Sequence, residues 1–380
     1  MVAARVTGGA VARYAWPMPS SSSRWIVVRA GEQRRWGGEI RRQEIFSRLA
    51  ARTEASVVDG WPAFRRAILG GRLRRVAHRV GLARPDPSRR LAASEQAPAS
   101  WLDWLPGKVD PTAVAIYDDS VLQAKALGGV LSPARIEEFN HRRARNERLF
   151  RWIVVPTRSF AEHIGLDMDK VIVGGNGTVA AHVRPGPWPD HPAIGIASGA
   201  AGARGLEALI EAARLLRVSI PELRLHLWLA ATSAAGEAYI DGLRADTARD
   251  PWIDIDRAPY ERLGETLSTA TVLAIPSPAT EYSDVALPVK LFDSMAAGRP
   301  QVVTPRTEMA AIVERFGIGA VAKGDDPASL AEALEPFLTN EALAAEVGAR
   351  ARATAEREYD WPIVGNRIAD EILRREGQRG

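Results

Sequence analysis

Short apolar runs recur along this chain, and stretches with helical spacing lie between them. Trp25–Val28, Ser56–Asp59, Ala113–Tyr117, Trp152–Val155 and Val171–Val173 occupy the first half. Ala193–Ile196, Thr271–Ile275, Val302–Thr304 and Ile318–Val321 occupy the second, where Leu223–Leu229 instead alternates like a strand with two unlike faces. Strands buried on both sides and alternating with helices predict parallel sheets covered by helices. The helices are expected at Ile40–Leu49, 63–84, 134–149, Gly205–Leu216 and Leu330–Leu338. Between the halves lies Arg184–Pro192, with four prolines, the best linker in the sequence. The expected class is therefore α/β, with two Rossmann-like domains facing an inter-domain cleft. The boundaries read as a lead over 1–23, a first domain over 24–187 with 85–111 irregular, a second domain over 188–360, and a final helical segment over 361–380.

At 380 residues, with 46% hydrophobic and 25% charged side chains, the chain has the balance of a globular protein. No run approaches the roughly 18 apolar residues that a membrane helix needs. The first residues carry arginines but no apolar core of a secretory signal, so a cytoplasmic setting is expected. There is no cysteine, which excludes disulfides, thiolate metal sites and cysteine nucleophiles. The six histidines show no metal-ligand spacing, so no metal site is expected.

The net charge of +4 conceals an asymmetry. Residues 1–90 carry nineteen arginines and no lysine against six acids, a surplus of +13, leaving −9 for the remainder. A solvated surface is the commonest reason for such a bias. The alternatives are an anionic acceptor and peripheral contact with an anionic membrane at its inner face. The arginines are not interleaved with aromatics and form no compact recognition motif, which argues against nucleic acid.

The segment most suggestive of chemistry is Glu281–Pro300, followed by Gln-Val-Val-Thr-Pro. Proline at 288 suits a helix start, where free backbone N–H groups and the positive dipole end favour an anion. Lys290 falls in the first turn and adds charge. Asp293, about one turn on, can accept hydrogen bonds from sugar hydroxyls, and Gly298 ends the helix. A second helix start lies at Ala200–Gly205, where Gly199, Gly202 and Gly205 permit tight turns and Arg204 has the fork that clamps phosphate. Both loops fall at the carboxyl ends of strands, where open α/β sheets bind ligands. Taken singly, each feature has a plainer reading: Gly37-Gly38 as a turn, Arg204 as a solvated arginine, and Lys290 with Asp293 as a surface i, i+3 pair.

In combination these segments resemble the GT-B-fold glycosyltransferases of the family 4, "group 1" type. Gly37–Ala50 is similar to that family's Gly-Gly loop and first helix. Trp152–Val179 is similar to its strand, helix and Asn-Gly segment, and Ala203–Leu216 to its Lys-Gly helix. Ala258–Ser277, the Leu287–Val303 block and the Tyr359-Asp360-Trp361 ending complete the series. The likeness extends over 150–370, is partial over 24–60 and is poor over 60–112.

The resemblance implies transfer of a sugar from a nucleotide-diphosphate sugar, used as co-substrate with no further cofactor. The acceptor would be a carbohydrate, a lipid-linked group or a small molecule, and retention and metal independence are implied. The base would lie near Pro259 and Tyr260, the ribose near Asp293, and the diphosphate near Arg204, Leu287, Pro288 and Lys290, with Gly37 and Gly38 bordering the sugar. The pattern departs from the family's at several positions. The first of its paired glutamates falls on Val285, leaving Glu281 and Asp284 as candidates for that role. The arginine of its phosphate pair falls on Gly199, and the lysine is Arg204. The amino-terminal histidine is replaced by a strand end reading Tyr-Asp-Asp-Ser, with Asp119 as a catalytic candidate beside Arg204 and Lys290. These departures keep two further readings open: a non-catalytic sugar-nucleotide binder or assembly partner, and another reaction on the same fold, such as epimerisation.

Overall fold

The computed structural model describes residues 25–28, 37–58, 88–94, 108–116, 120–126, 131–231 and 233–378. The expected lead over 1–23, the helix over 63–84, and Asp118 and Asp119 lie outside these residues.

The first sheet contains β1 (Trp25–Val28), β2 (Ser56–Val58), β3 (Arg90–Ser94), β4 (Asp110–Ala115), β5 (Trp152–Val155) and β6 (Val171–Val173), in the order β2-β1-β3-β4-β5-β6. The second contains β7 (Ala193–Gly199), β8 (Arg224–Ala230), β9 (Ile253–Asp256), β10 (Val272–Ile275), β11 (Gln301–Val303) and β12 (Gly319–Val321), in the order β12-β11-β10-β7-β8-β9. Every pairing in both sheets is parallel. This is the expected α/β class with two Rossmann-like units.

Side-chain parity explains why a central strand such as β10 is apolar throughout. On the second sheet, Val272 and Ala274 join one core with α5 (Leu206–Arg217) and α11 (Pro327–Thr339). Leu273 and Ile275 join the opposite core with α9 (Val289–Ala296) and α10 (Thr307–Phe316). Alternate residues of β10 thus face different helix layers, and neither of its faces is left to water. The alternation in β8 has the same cause: Leu225, Leu227 and Leu229 are buried on one face and Trp228 on the other.

Residues 85–111, expected to be irregular, contain β3 in the middle of the first sheet. Its Leu-Ala-Ala centre is fully buried but short and set between Arg90 and Ser94, so its apolar signal is weak. Pro111 sits near the start of β4, where proline is tolerated, and the register with β3 shifts there between Leu91 and Ala92.

The remaining helices of the first unit are α1 (Gly37–Thr53), α2 (Ser120–Ala126), α3 (Pro133–Leu149) and α4 (Arg158–His163). Those of the second are α6 (Ala234–Asp246), α7 (Leu263–Leu267), α8 (Glu281–Val285) and α12 (Glu341–Thr354). After a π turn over Ala355–Tyr359, α13 (Trp361–Gly377) packs beside α1. Its Trp361, Val364, Ile368, Ala369 and Ile372 join Trp25, Ile45, Phe46 and Leu49 in a single core.

Glu376 fixes the far end of α13. Its carboxylate is only 2% exposed and accepts from Arg151 at 2.7 and 2.8 Å, from Trp152 Nε1 at 2.8 Å and from Arg90 at 3.1 Å. Three arginines of the basic stretch serve internal contacts: Arg48 pairs with Glu44, Arg52 with Asp370 and Arg90 with Glu376. Glu376→Gln preserves the shape but leaves two guanidinium groups facing a neutral amide. It is expected to lower unfolding stability by about 2 kcal/mol in a denaturant titration.

Candidate active site

The chain leaves β7 toward β8 and β9, then returns to lay β10 on the other side of β7. This is a topological switch point, where the loops following two adjacent strands diverge and leave a crevice at their carboxyl ends. The loops concerned are Ala200–Gly205, leading into α5, and Pro276–Pro288, leading into α9.

The two loops touch. Gly205 has φ +75°, and a Cβ there would lie 1.7 Å from the Pro276 carbonyl oxygen, so only glycine fits. Ala203 is also left-handed, at φ 59°. A left-handed alanine costs roughly 1 kcal/mol, and it sits next to the arginine of interest. Arg204 is thus held between two left-handed residues.

Both helix starts lack a side-chain cap. Helices α3, α4, α6, α8, α11 and α12 begin on Ser132, Thr157, Ser233, Thr280, Asp326 and Asn340, whose side chains accept a first-turn N–H. Helix α5 begins on Gly205 and α9 on Pro288, which provide no such acceptor; α7, α10 and α13 also begin without a side-chain cap. Pro288 occupies the cap position rather than the first helical one, and Lys290 is the second helical residue.

Arg204 and Lys290 are neighbours. Burial lowers the affinity of the Lys290 amine for its proton, and the charge of Arg204 lowers it further, to a pKa of about 7. Burial likewise lowers the pKa of Arg204, beside Tyr282. The Arg204 Nε is buried without a hydrogen-bond partner. Among the described residues no carboxylate pairs with either cation. Asp293, one turn along α9, is pushed up to about 7 by burial, opposed by a 2.7 Å hydrogen bond that its Oδ1 accepts from Thr178. No cation among the described residues pairs with it. Tyr260 follows Pro259, which caps a short 3-10 turn. Burial, reinforced by Asp293 and Glu44, raises the pKa of its phenol. Arg204, Lys290, Asp293 and Tyr260 therefore share one neighbourhood, and Leu287 is buried beneath it.

Other expected residues lie differently. Gly37 and Gly38 are the first two residues of α1 rather than a loop before it; the unpaired N–H groups of a helix start tolerate glycine there. Gly199 ends β7, and a Cβ on it would meet nothing within 4 Å. Glu281 opens α8 and pairs with Lys125 of the first unit at 3.2 Å. Asp284 pairs with the buried Arg306 at 3.4 Å. Val285 packs into the core of the first unit, and its carbonyl accepts from Thr157 at 3.2 Å. That position serves inter-unit packing. Asn176 and Thr178 of the Asn-Gly segment, with His182 and Tyr282, also reach this neighbourhood, though none of the four was among the expected site residues.

Residues 192–340 match the family model described as "Glycosyl transferases group 1". The match falls within the second unit. The D-inositol 3-phosphate glycosyltransferase of Streptomyces avermitilis is 28% identical over 216 residues, covering 55% of this chain and 45% of the relative. A GDP-mannose-dependent monoacylated alpha-(1-6)-phosphatidylinositol monomannoside mannosyltransferase of Corynebacterium glutamicum is 26% identical over 179 residues, covering 44% and 43%. The chain spans less than half the length of these curated relatives. Among solved structures, the Anabaena protein HepE in complex with UDP-glucose superposes with a TM-score of 0.63 at 15% identity, covering 92% of this chain and 99% of its own. Sucrose-phosphate synthase from Thermosynechococcus elongatus gives 0.63 at 13%, covering 94% and 100%. Both likenesses show the same two-unit fold over nearly the whole chain. Among the described residues, no helix is long and apolar enough to cross a membrane.

Proposed function

We propose that the protein transfers a sugar from a nucleoside-diphosphate sugar to an acceptor hydroxyl. The observation that carries this reading is the pair Arg204 and Lys290, adjacent cations without a carboxylate partner among the described residues, at the switch point beside two uncapped helix starts. A diphosphate relieves their mutual repulsion and satisfies the helix-end N–H groups. As the bond from the sugar to the diphosphate breaks, the same groups stabilise the charge gathering on the leaving phosphate. Asp293 accepts from ribose hydroxyls, and Tyr260 borders the base. The cations supply the charge stabilisation that a metal provides elsewhere, which supports a metal-independent reaction. Retention at the anomeric carbon is the outcome implied by the resemblance. The first unit holds the acceptor, and an acceptor bearing phosphate matches the basic surplus of residues 1–90.

The test is a thermal-melt panel of UDP, GDP, dTDP, ADP and their sugars, followed by transfer assays with the sugar of whichever nucleotide binds. Ligands that bind the native state raise its melting temperature. A selective shift, then a transferred sugar with its starting anomeric configuration, is the expected result. No shift with any nucleotide would sink the reading. A second reading, binding without transfer, is favoured by Val285, an apolar residue packed into the first unit where the family has a glutamate. Donor binding with no product across a broad acceptor panel would establish it.

Donor binding is also expected to take up a proton. In the free protein at pH 8, Lys290, with its pKa near 7, is mostly neutral. An anion beside it favours the charged form and raises its pKa, so binding draws a proton from solution. At pH 6 the amine is already charged, and uptake by Lys290 vanishes. Affinity therefore falls as pH rises above about 7. Calorimetry with a sugar nucleotide in two buffers of different ionisation enthalpy measures the uptake, and Lys290→Met removes it.

A further inference from the structure

The stretch between β6 and the proline linker meets the crevice at three successive points. Asn176 Nδ2 donates to the Leu287 carbonyl at 2.7 Å, immediately before Pro288 and the start of α9. Thr178 Oγ1 donates to Asp293 Oδ1 at 2.7 Å. His182 Nε2 lies 2.8 Å from the Tyr260 carbonyl, and its ring stacks on that of Tyr260 at 4.6 Å. Each contact falls on a different part of the donor site: the helix end beside Lys290, the carboxylate, and the loop that borders the base.

The stretch is itself held from behind. Thr178 N donates to the Tyr359 carbonyl, and Trp361 N donates to the Thr178 carbonyl, both at 2.9 Å. Ala180 N donates to Asp360 Oδ1 at 3.1 Å. At Gly177 a Cβ would come within 2.5 Å of the Tyr359 oxygen, so the two strands of chain are in close contact. Asn176 and Thr178 are each 1% exposed. A buried hydroxyl with one outlet for its proton fixes the rotamer of the carboxylate that receives it.

We propose that residues 176–182 form a positioning rail for the nucleotide, in which Thr178 orients Asp293 and His182 orients the Tyr260 loop. The rail rests on the donor-site reading above. Thr178 and His182 touch the groups that bind rather than the ligand, so they are positioning residues. Removing either contact loosens the nucleoside part of the site and leaves the Arg204–Lys290 part intact.

The experiment compares two probes, a nucleoside diphosphate and inorganic pyrophosphate, by calorimetry on wild type, Thr178→Val, Thr178→Ser and His182→Phe. The nucleoside diphosphate is the one that binds wild type in the melt panel. Its affinity is expected to fall about tenfold in Thr178→Val and to recover in Thr178→Ser, the hydroxyl being what matters. The pyrophosphate affinity is expected to be unchanged throughout. His182→Phe keeps a stacked ring but loses the bond to the carbonyl; being exposed, it tests the rail even where Thr178→Val melts early. Equal weakening of both probes in the variants would mark a general structural effect and overturn the rail. Wild-type affinity for the nucleoside diphosphate in both Thr178→Val and His182→Phe would also overturn it. Failure of wild type to bind either probe would instead remove the donor site on which the rail depends.

Discussion

Arg204→Ala is expected to weaken binding of a nucleoside diphosphate by roughly 10- to 100-fold, the range set by losing a charge-assisted hydrogen-bonding group at about 1.5–3 kcal/mol. The fold should not suffer. Arg204 has a buried Nε without a partner, and it stands beside another cation, so its removal relieves repulsion. The melting temperature of the unliganded protein should hold or rise while affinity collapses. That opposition distinguishes a binding residue from a structural one, and a melt with and without ligand reads both quantities. Lys290 gives a second readout. Freed from the neighbouring charge, its amine regains protons at higher pH, and the window in which binding takes up a proton moves upward. Unchanged affinity in Arg204→Ala would remove the arginine from the site.

Arg299→Ala is expected to do the reverse, with a large loss of stability. Arg299 is 1% exposed, and burial lowers the pKa of its guanidinium to about 10. Backbone carbonyls surround it in place of a carboxylate. It donates to Ser268 and Pro187 at 2.7 Å, to Ala270 at 2.8 Å and to Gly186 at 3.2 Å, and it lies 4.0 Å over the ring of Trp188. Gly186, Pro187 and Trp188 belong to the proline linker, so a single side chain seals the linker to the second unit. Alanine leaves a cavity and several unsatisfied carbonyls. A loss of about 3–5 kcal/mol follows, or roughly 10 °C in a thermal melt. Lysine is a poor substitute, because one ammonium cannot span acceptors arranged around a planar fork. A melt within a degree or two of wild type would show that the linker is held by other means.

Which parts were legible in the sequence has a physical pattern. Trp25–Val28, Trp152–Val155 and Val171–Val173 are strands at their expected limits, because β-branched and aromatic residues following a basic residue leave little choice. Arg204 and Lys290 stood out because glycines and a Leu-Pro step advertised helix starts. β3 escaped because a buried strand of leucine and alanine between polar residues resembles any polar loop. Arg299 and Glu376 escaped because the local pattern shows a charged residue, and only tertiary packing decides that it is enclosed. The rail was hidden for a related reason: Asn176, Thr178 and His182 gain meaning from groups some eighty to one hundred and fifteen positions further along.

The sharing of one core by α1, β1 and α13 has a consequence for how the protein is made. A ribosome delivers the first sheet early, yet Trp361, Val364, Ile368 and Ile372 emerge only after the entire second sheet. Until then the apolar surface of α1 and of β1 lacks its cover. The nascent first unit must wait, exposed and open to chaperones, while the second completes its own two cores from contiguous chain. The second unit therefore completes its cores first, and the arrival of α13 closes the core of the first.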